Sequence, residues 1–422
     1  MNVNDYQVEF DKIIARPYYP SSLNNIREIA FSKFLNIGMP TKKWEDWKHT
    51  DISIITKGSF RISEKHDAPT KKIDISKYKI KGTHTLVIYN GHYQESSSAL
   101  PDGIQVLPNI EYLKKNNLKN NDKESSPFDL LNTSLMDSGI SIITEPNVNI
   151  KKPIHILFIC SSNENLMVSP RINIEINKSS SLNLIEHCVG GPNPFLQNTS
   201  VFISVKENAF FDHIFIQSSS EKAANINNLY VDIHEHSTYK YFQYVKGAGL
   251  SRANIHAYLK GEHSECVLSG LMLLIEKQHC DTHIITDHIA PHCTSTQNFK
   301  SVLNGNSSGV FNGRTIVRED SQKTDSKQYN KNLLLSDSSV MNSNPQLEIY
   351  ADDVKCAHGS TTGALDDEAL FYMRSRGIDL ATAKSLMIRG FVSDLIGEIG
   401  HKEVNKYLLA DFDYWLNESN RT

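Results

Sequence analysis

The sequence predicts a mainly β protein: a parallel β-helix core flanked by N-terminal and C-terminal α-helical regions. Three observations carry this. Four segments align in the middle of the chain, "RINIEINKSSSLNLIE", "VFISVKENAFFDHIFI", "LYVDIHEHSTYKYFQY" and "IHAYLKGEHSECVLSG". Each is a strand of period 2, a short polar turn and a second such strand. The residues before the turns, Ile176, Val205, Ile233 and Leu259, are separated by 29, 28 and 26 positions. A β-sandwich also gives alternating strands, but not a turn that returns at near-constant spacing, whereas a solenoid does. Tight hairpin signals are scarce in this stretch, as parallel stacking requires. Both ends of the chain carry helical rather than strand periodicity. The expected division is an N-terminal helical domain with a small β element over 1–100, the β-helix over 101–360 and a C-terminal helical domain over 361–422.

In order along the chain, "PSSLNNIREIAFSKFLNIG" reads as a helix. Ser21 or Ser22 can cap it, Leu23, Ile26, Ala30, Phe34 and Ile37 form its apolar stripe, and Gly38 can stop it. Trp44 and Trp47 follow, three apart among charges, and read as packing residues that join this helix to the next domain. "HTLVIYNGHY" is a strand with a turn at Asn90-Gly91. After the four repeats, "VLNGNSSGVFNGRTIV" and "QLEIYADDVKC" look like later coils. "LDDEALFYMRSRG" is a short helix with acids first and Arg374 and Arg376 late, which suits its dipole. "DLATAKSLMIRGFVSDLIGEI" places Leu380, Ala383, Met387, Phe391, Leu395 and Ile399 at helical spacing after the cap Asp379, and "HKEVNKYLLADFDYWLNES" is a third amphipathic helix. Three such helices make a small bundle or a docking surface.

Composition excludes several classes. A net charge of −4 without a basic block argues against nucleic acid. The longest apolar runs, "GLMLLI" and "HILFIC", are too short to span a bilayer, and the N-terminus is not a secretory signal. The cysteines at 160, 188, 266, 280, 293 and 356 are scattered, which fits a reducing cytoplasm better than a disulfide framework. There is no C-x-x-C for an iron–sulfur protein with its own full cysteine set, and no P-loop.

Three groups of residues could carry chemistry. "QHCDTHIITDHIAPHC" holds His279, Cys280, His283, His288, His292 and Cys293. On a strand His279 and His283 share one face and His288 has the opposite parity, so four ligands do not converge without a re-aiming turn. Structural histidines are expected there. In "KCAHGS", Cys356 and His358 share a strand face, roughly 6.5–7 Å apart. That is too far for a direct thiolate–imidazole hydrogen bond, and no third group orients the imidazole. Both are good iron or zinc ligands, but two ligands are half a site. Ordinary packing, or completion across a subunit interface, are the readings left open. The pairs Asp352-Asp353 and Asp366-Asp367 raise a β-helix carbohydrate enzyme as a remote alternative, although adjacent residues on a strand point to opposite faces.

Longer stretches resemble a known family. "GMPTKKWEDWKHT" is similar to the N-terminal signature of SUF-type iron–sulfur assembly proteins. "HIAPHCTSTQNFKSVLNGNSSGVFNGRTIVREDSQKTDSKQYNKNLLLSDSS" resembles the core signature of the SufB/SufD family, and "YADDVKCAHGSTTGALDDEALFYMRSRGI" resembles the end of that core. SufB proteins carry a Glu-His-Glu-Ala type sequence where this chain has Ala357-His358-Gly359-Ser360, which favours the SufD side of the family. Ala357 and Ser360 stand where Ser and Ala are common. The resemblance implies a right-handed parallel β-helix and a non-catalytic scaffold subunit of a SufB–SufC–SufD complex. In that complex the β-helix would pair with SufB, and the C-terminal helices, around Leu380, Ala383, Met387, Phe391 and Leu395, would dock the SufC ATPase. It also implies that His358, with Cys356 beside it, helps iron entry and holds iron or a nascent iron–sulfur cluster shared with SufB, none being bound by the isolated chain. The alternative within the family is a purely architectural subunit that stabilises SufB and recruits SufC. An open β-helix edge also permits a homodimer when the chain is alone.

Overall fold

The computed structural model describes residues 3–17, 19–68, 74–94, 100–116 and 126–419. Its centre is a coil of two sheets stacked face to face. Each turn adds one parallel strand to each sheet. In the first sheet these are Phe195–Val205, Ala223–Ile233, Leu250–Leu259, His279–His288, Ser308–Val317 and Val340–Ile349. In the second they are Phe210–Gln217, Thr238–Val245, Glu265–Leu274, Thr294–Leu303, Asp325–Leu334 and Lys355–Gly363. One column runs in register through Ile176, Val205, Ile233, Leu259, His288, Val317 and Ile349. Its first four members are the pre-turn residues of the repeat, so the sequence spacing is the circumference of a coil.

The corners after Ile176, Val205, Ile233, Leu259, His288 and Val317 each place one residue in the left-handed region: Ser179, Asn208, His236, His263, His292 and Lys323, with φ between 53° and 62°. The turn amides are not left unpaired. Asn208 donates to the Glu235 carbonyl at 3.0 Å, His236 to Glu262 at 3.0 Å and His292 to Gln322 at 2.8 Å, each one coil further on.

The N-terminal third continues this architecture rather than standing apart. Strand His84–Tyr89 extends the second sheet beside Ile154–Cys160, and turns through Asn90 (φ 46°) and Gly91 (φ 87°) into His92–Gln94, as expected for a primed hairpin turn. Helix Ser21–Ile37 is present and ends at Gly38. It differs from expectation at its start, where Pro20 holds the N-cap position and no side chain caps it. Its buried stripe is Leu23, Arg27, Ala30, Phe31 and Phe34, and Ile37 faces solvent. Arg27 takes a core position because its guanidinium donates to the Met136 carbonyl at 2.6 Å and lies over the Tyr19 ring. Trp44 and Trp47 flank a 3-10 turn, not a helix. Trp47 is buried against Phe128, and both belong to the cluster that joins this region to the coil.

The C-terminal helices Leu380–Gly397 and Lys402–Ser419 cover the outer face of the second sheet. Ile388, Val392, Leu395, Leu408, Phe412 and Trp415 pack there on Ile216, Phe242, Leu271 and Val302. Lys300, on the sheet, bonds Asp394 at 2.6 Å and the Phe391 carbonyl at 2.8 Å. This seating takes in part of the expected docking stripe. Ala383 and Leu395 have no exposed surface and Phe391 packs on the same cluster, because the stripe seats the helix on its own sheet. The large apolar and aromatic side chains left in solvent on the C-terminal helices are Phe371, Tyr372, Leu380, Leu386 and Tyr414. Among the described residues no helix is long and apolar enough to cross a membrane.

Leu395→Ala should therefore cost about 2–5 kcal/mol of stability, as for other buried Leu truncations. Denaturant unfolding would measure it, and limited proteolysis should then release the two terminal helices first.

Candidate functional site at the open end of the coil

Among the described residues both sheets end on long strands with no neighbour beyond them, Val340–Ile349 of 10 residues and Lys355–Gly363 of 9. At the other end the edge strands are short: Ile104–Pro108 pairs antiparallel with Ile140–Thr144, and His92–Gln94 has 3 residues. The two long edges differ. Val340 and Tyr350 donate their amides back to Ser307 and Val317, so odd-numbered residues of that strand face the open side. Pro345 is one of them and blunts that edge, since it has no N–H. On Lys355–Gly363 the Lys355 amide donates back to Thr324, which leaves the N–H groups of Cys356, His358, Ser360 and Thr362 facing out.

Those same four side chains continue the column that fills the inside of the coil. Their register partners Ser326, Gln328, Asn330 and Asn332 are all buried, while Lys327, Tyr329 and Lys331 between them are exposed. His358 is inward by parity and yet exposed, because no further coil lies above it. Cys356 is half-buried, and burial raises its thiol pKa.

Beneath this rim the interior is polar. Ser326 bonds Ser295 and Ser295 bonds His288, each at 2.8 Å. Ser343 bonds Ser360 at 2.8 Å and donates to Asn330 at 2.8 Å, and Asn332 reaches Thr362 at 3.2 Å. Deeper in, the same columns hold Leu182, Leu184, Phe211, Phe215 and Leu268 around a buried Glu186–His213 pair at 3.0 Å, and polar residues predominate in them only toward the open end. Pattern reading could not find these polar residues. They alternate like any strand, and only the coil shows that their face is the inside.

The histidine-rich stretch does not form one site. His279 bonds Thr50 at 3.0 Å and Ser308 at 2.6 Å, and Cys280 lies in the interior. His283 meets Asp281 on the outer face at 3.0 Å, while His288 bonds Ser295 inside. His292 stacks on His263 at a corner, and Cys293 packs beside Ser264. Among the described residues no three His, Cys, Asp or Glu side chains converge on a metal position. The acid pairs are not paired carboxylates either: Asp353 binds Lys323 across a turn, and Asp366 caps helix Asp367–Ser375.

One constellation was missed. Arg252 is buried on the outer face of the first sheet, lies 3.7 Å over the Trp47 ring, donates to the Asp46 carbonyl at 2.8 Å and pairs with Asp281. Thr50 donates to Asp281 at 2.5 Å. The guanidinium and the hydrogen bonds hold the Asp281 carboxyl far below the usual range against the cost of burial. This clasp explains the "WEDWKHT" stretch, whose partners lie more than 200 residues away.

A two-sheet parallel coil with a polar open rim places the chain among the parallel β-helix proteins. The chain matches the SUF-system iron–sulfur cluster assembly SufBD core domain over residues 158–391 and the SufBD N-terminal region over 6–156, and it belongs to the SufBD family. It is 28% identical to the iron–sulfur cluster assembly SufBD family protein slr0076 of Synechocystis sp. over 90% of this chain and 88% of that one. It is 27% identical to the iron–sulfur cluster assembly protein SufD of Escherichia coli, over 90% and 89%. It is 26% identical to the chloroplastic protein ABCI7 of Arabidopsis thaliana, over 93% and 86%.

Burial pushes the pKa values of His288 and His155 down to about 4, from about 6.5 in the unfolded chain. Between those values the unfolded chain binds more protons, so stability falls as pH falls, by about 3 kcal/mol for each imidazole. His288→Gln, which can still bond Ser295, should flatten that loss. Denaturant midpoints at pH 7 and pH 4.5 would show it.

Proposed function

We propose that this chain is the SufD-type, non-catalytic scaffold subunit of a SufB–SufC–SufD complex, and that His358 helps iron entry and holds iron or the nascent cluster at the junction with SufB. The observation that carries the reading is the position of His358. It is the one imidazole on the terminal inward column, exposed only because the coil stops there. A neutral imidazole is a good ligand for iron, and one or two ligands on an unfinished rim suit a cluster that must later leave. The remaining ligands come from SufB. The unblunted Lys355–Gly363 edge offers a row of amides for strand pairing across the same junction. The likeness to a protein named SufD over nine-tenths of both chains supports the assignment.

SufC docks on the C-terminal helices in this reading, through the exposed Phe371, Tyr372, Leu380 and Leu386 in place of the buried part of the expected stripe. ATP-driven movement of these helices is transmitted to the rim through the second sheet, on which they sit. A purely architectural subunit is the competing reading. It is favoured by the lack of a converged three-ligand group among the described residues.

His358→Ala should leave the three-protein complex assembled and reduce anaerobic cluster formation by at least tenfold. Full activity in an intact complex would favour the architectural reading. Cys356→Ala should have the smaller effect. Leu386→Asp should abolish co-purification with SufC and leave the fold's melting temperature unchanged.

A further inference from the structure

The column below His358 is a polarised ladder of amides. Gln328, its register partner one coil down, is fully buried. Its Nε2 donates to Gln297 Oε1 at 2.8 Å, one coil lower again, and Gln297 Nε2 donates to Thr286 Oγ1 at 3.0 Å. The Gln328 nitrogen thus aims away from the open end, while Gln297 Nε2 turns across the coil and also reaches Thr315 Oγ1 at 3.4 Å. An amide's oxygen diverges from its nitrogen at the carbonyl carbon, so Gln328 Oε1 does not share the downward direction of Nε2. Gln297 Oε1 is taken by Gln328. Gln328 Oε1 is buried and has no partner. The facing position is Gly313, where a Cβ would fall 1.8 Å from Gln328 Nε2 and 2.9 Å from Gln297 Oε1. The glycine makes the room in which the two amides lie. An unpaired buried carbonyl is costly unless something supplies it with a donor, and adjacent parallel strands are only about 4.8 Å apart.

We infer that Gln328 is the positioning residue for His358. The imidazole turns into the mouth of the coil and donates one ring N–H to Gln328 Oε1. That fixes the tautomer and aims the other ring nitrogen, as an acceptor, out toward the partner. Hydrogen-bonded donors of this kind orient metal-ligating imidazoles generally, and each bond down the ladder polarises the next. The ladder makes a single histidine on an open rim a directed ligand. The inference rests on His358 being the ligand, but the two can fail separately.

The test is ring-nitrogen NMR on the full chain labelled with 15N-histidine at pH 8.5, with the His358 signals assigned by their loss in His358→Ala. In the native chain one tautomer should dominate. Gln328→Met, of similar volume but with no acceptor, should move both ring shifts toward averaged values, and Gln328→Glu, which keeps an acceptor, should restore them. Gln297→Met leaves Gln328 in place but undirected and should give a smaller change, which also serves if Gln328→Met folds poorly. In the assembled complex, ferrous-ion binding should weaken by about 10- to 100-fold in Gln328→Met. Identical His358 ring shifts in folded native and Gln328→Met protein would overturn the ladder's role, whatever His358→Ala does. Normal cluster formation by His358→Ala would overturn the ligand reading while leaving a tautomer shift in Gln328→Met standing.

Discussion

A strand in a parallel coil is satisfied only by the strand one turn above it. Each turn of this molecule hands its amides and carbonyls to the next, at the corners as well as in the sheets, and the last turn has nowhere to hand them. Nearly everything about the molecule follows from that unfinished edge. The N-terminal end is closed by short antiparallel strands, and the faces are covered by helices. What remains is one broad end with two exposed strands, one of them blunted by Pro345 and the other open. Long unprotected edges invite pairing with another chain.

The interior is graded to match. The early coils are filled mainly by apolar side chains, with Glu186 and His213 paired among them. Toward the open end the same columns carry serine, threonine, asparagine and glutamine, joined in hydrogen-bonded chains. Buried polar groups are stable only when paired, and such chains give each group a partner one coil away. The coil repeats its geometry, so a polar residue at one level finds another 4.8 Å above it in a predictable direction. A ladder that is consistent in one direction must end in an unmet donor or acceptor at the rim. Here it ends in an acceptor beneath His358.

The two helical regions do different jobs. The N-terminal stretch is fixed by a buried charge, with Arg252 between an indole, a backbone carbonyl and Asp281. Removing one partner of such a pair leaves the other charge buried and is severely destabilising, so the clasp acts as a rigid joint. The C-terminal helices sit through apolar packing and the Lys300–Asp394 bridge. Of their exposed aromatic and aliphatic side chains, Phe371, Tyr372, Leu380 and Leu386 lie on the short helix Asp367–Ser375 and the first half of the next, and Tyr414 on the last.

The sequence by itself determined the coil. Alternating strands and a turn returning every 26 to 29 residues can bury their apolar face in few other ways, and the pre-turn positions fell on the register column that the structure shows. Strand parity also determined that the six-residue histidine and cysteine cluster would scatter and that Cys356 and His358 would share a face. Periodicity placed the terminal helices correctly but could not say what the apolar stripe of Leu380–Gly397 meets, because such a stripe looks the same whether it meets its own sheet or a partner. Tertiary structure alone decided that the Cys356 and His358 face is the inside of the coil, that Arg252 meets Trp47, and that Gln328 lies under His358. Those pairs are 2, 205 and 30 residues apart in the chain. Local pattern carries no information about which face of a strand the winding turns inward, or about which distant residue the next coil sets beside it.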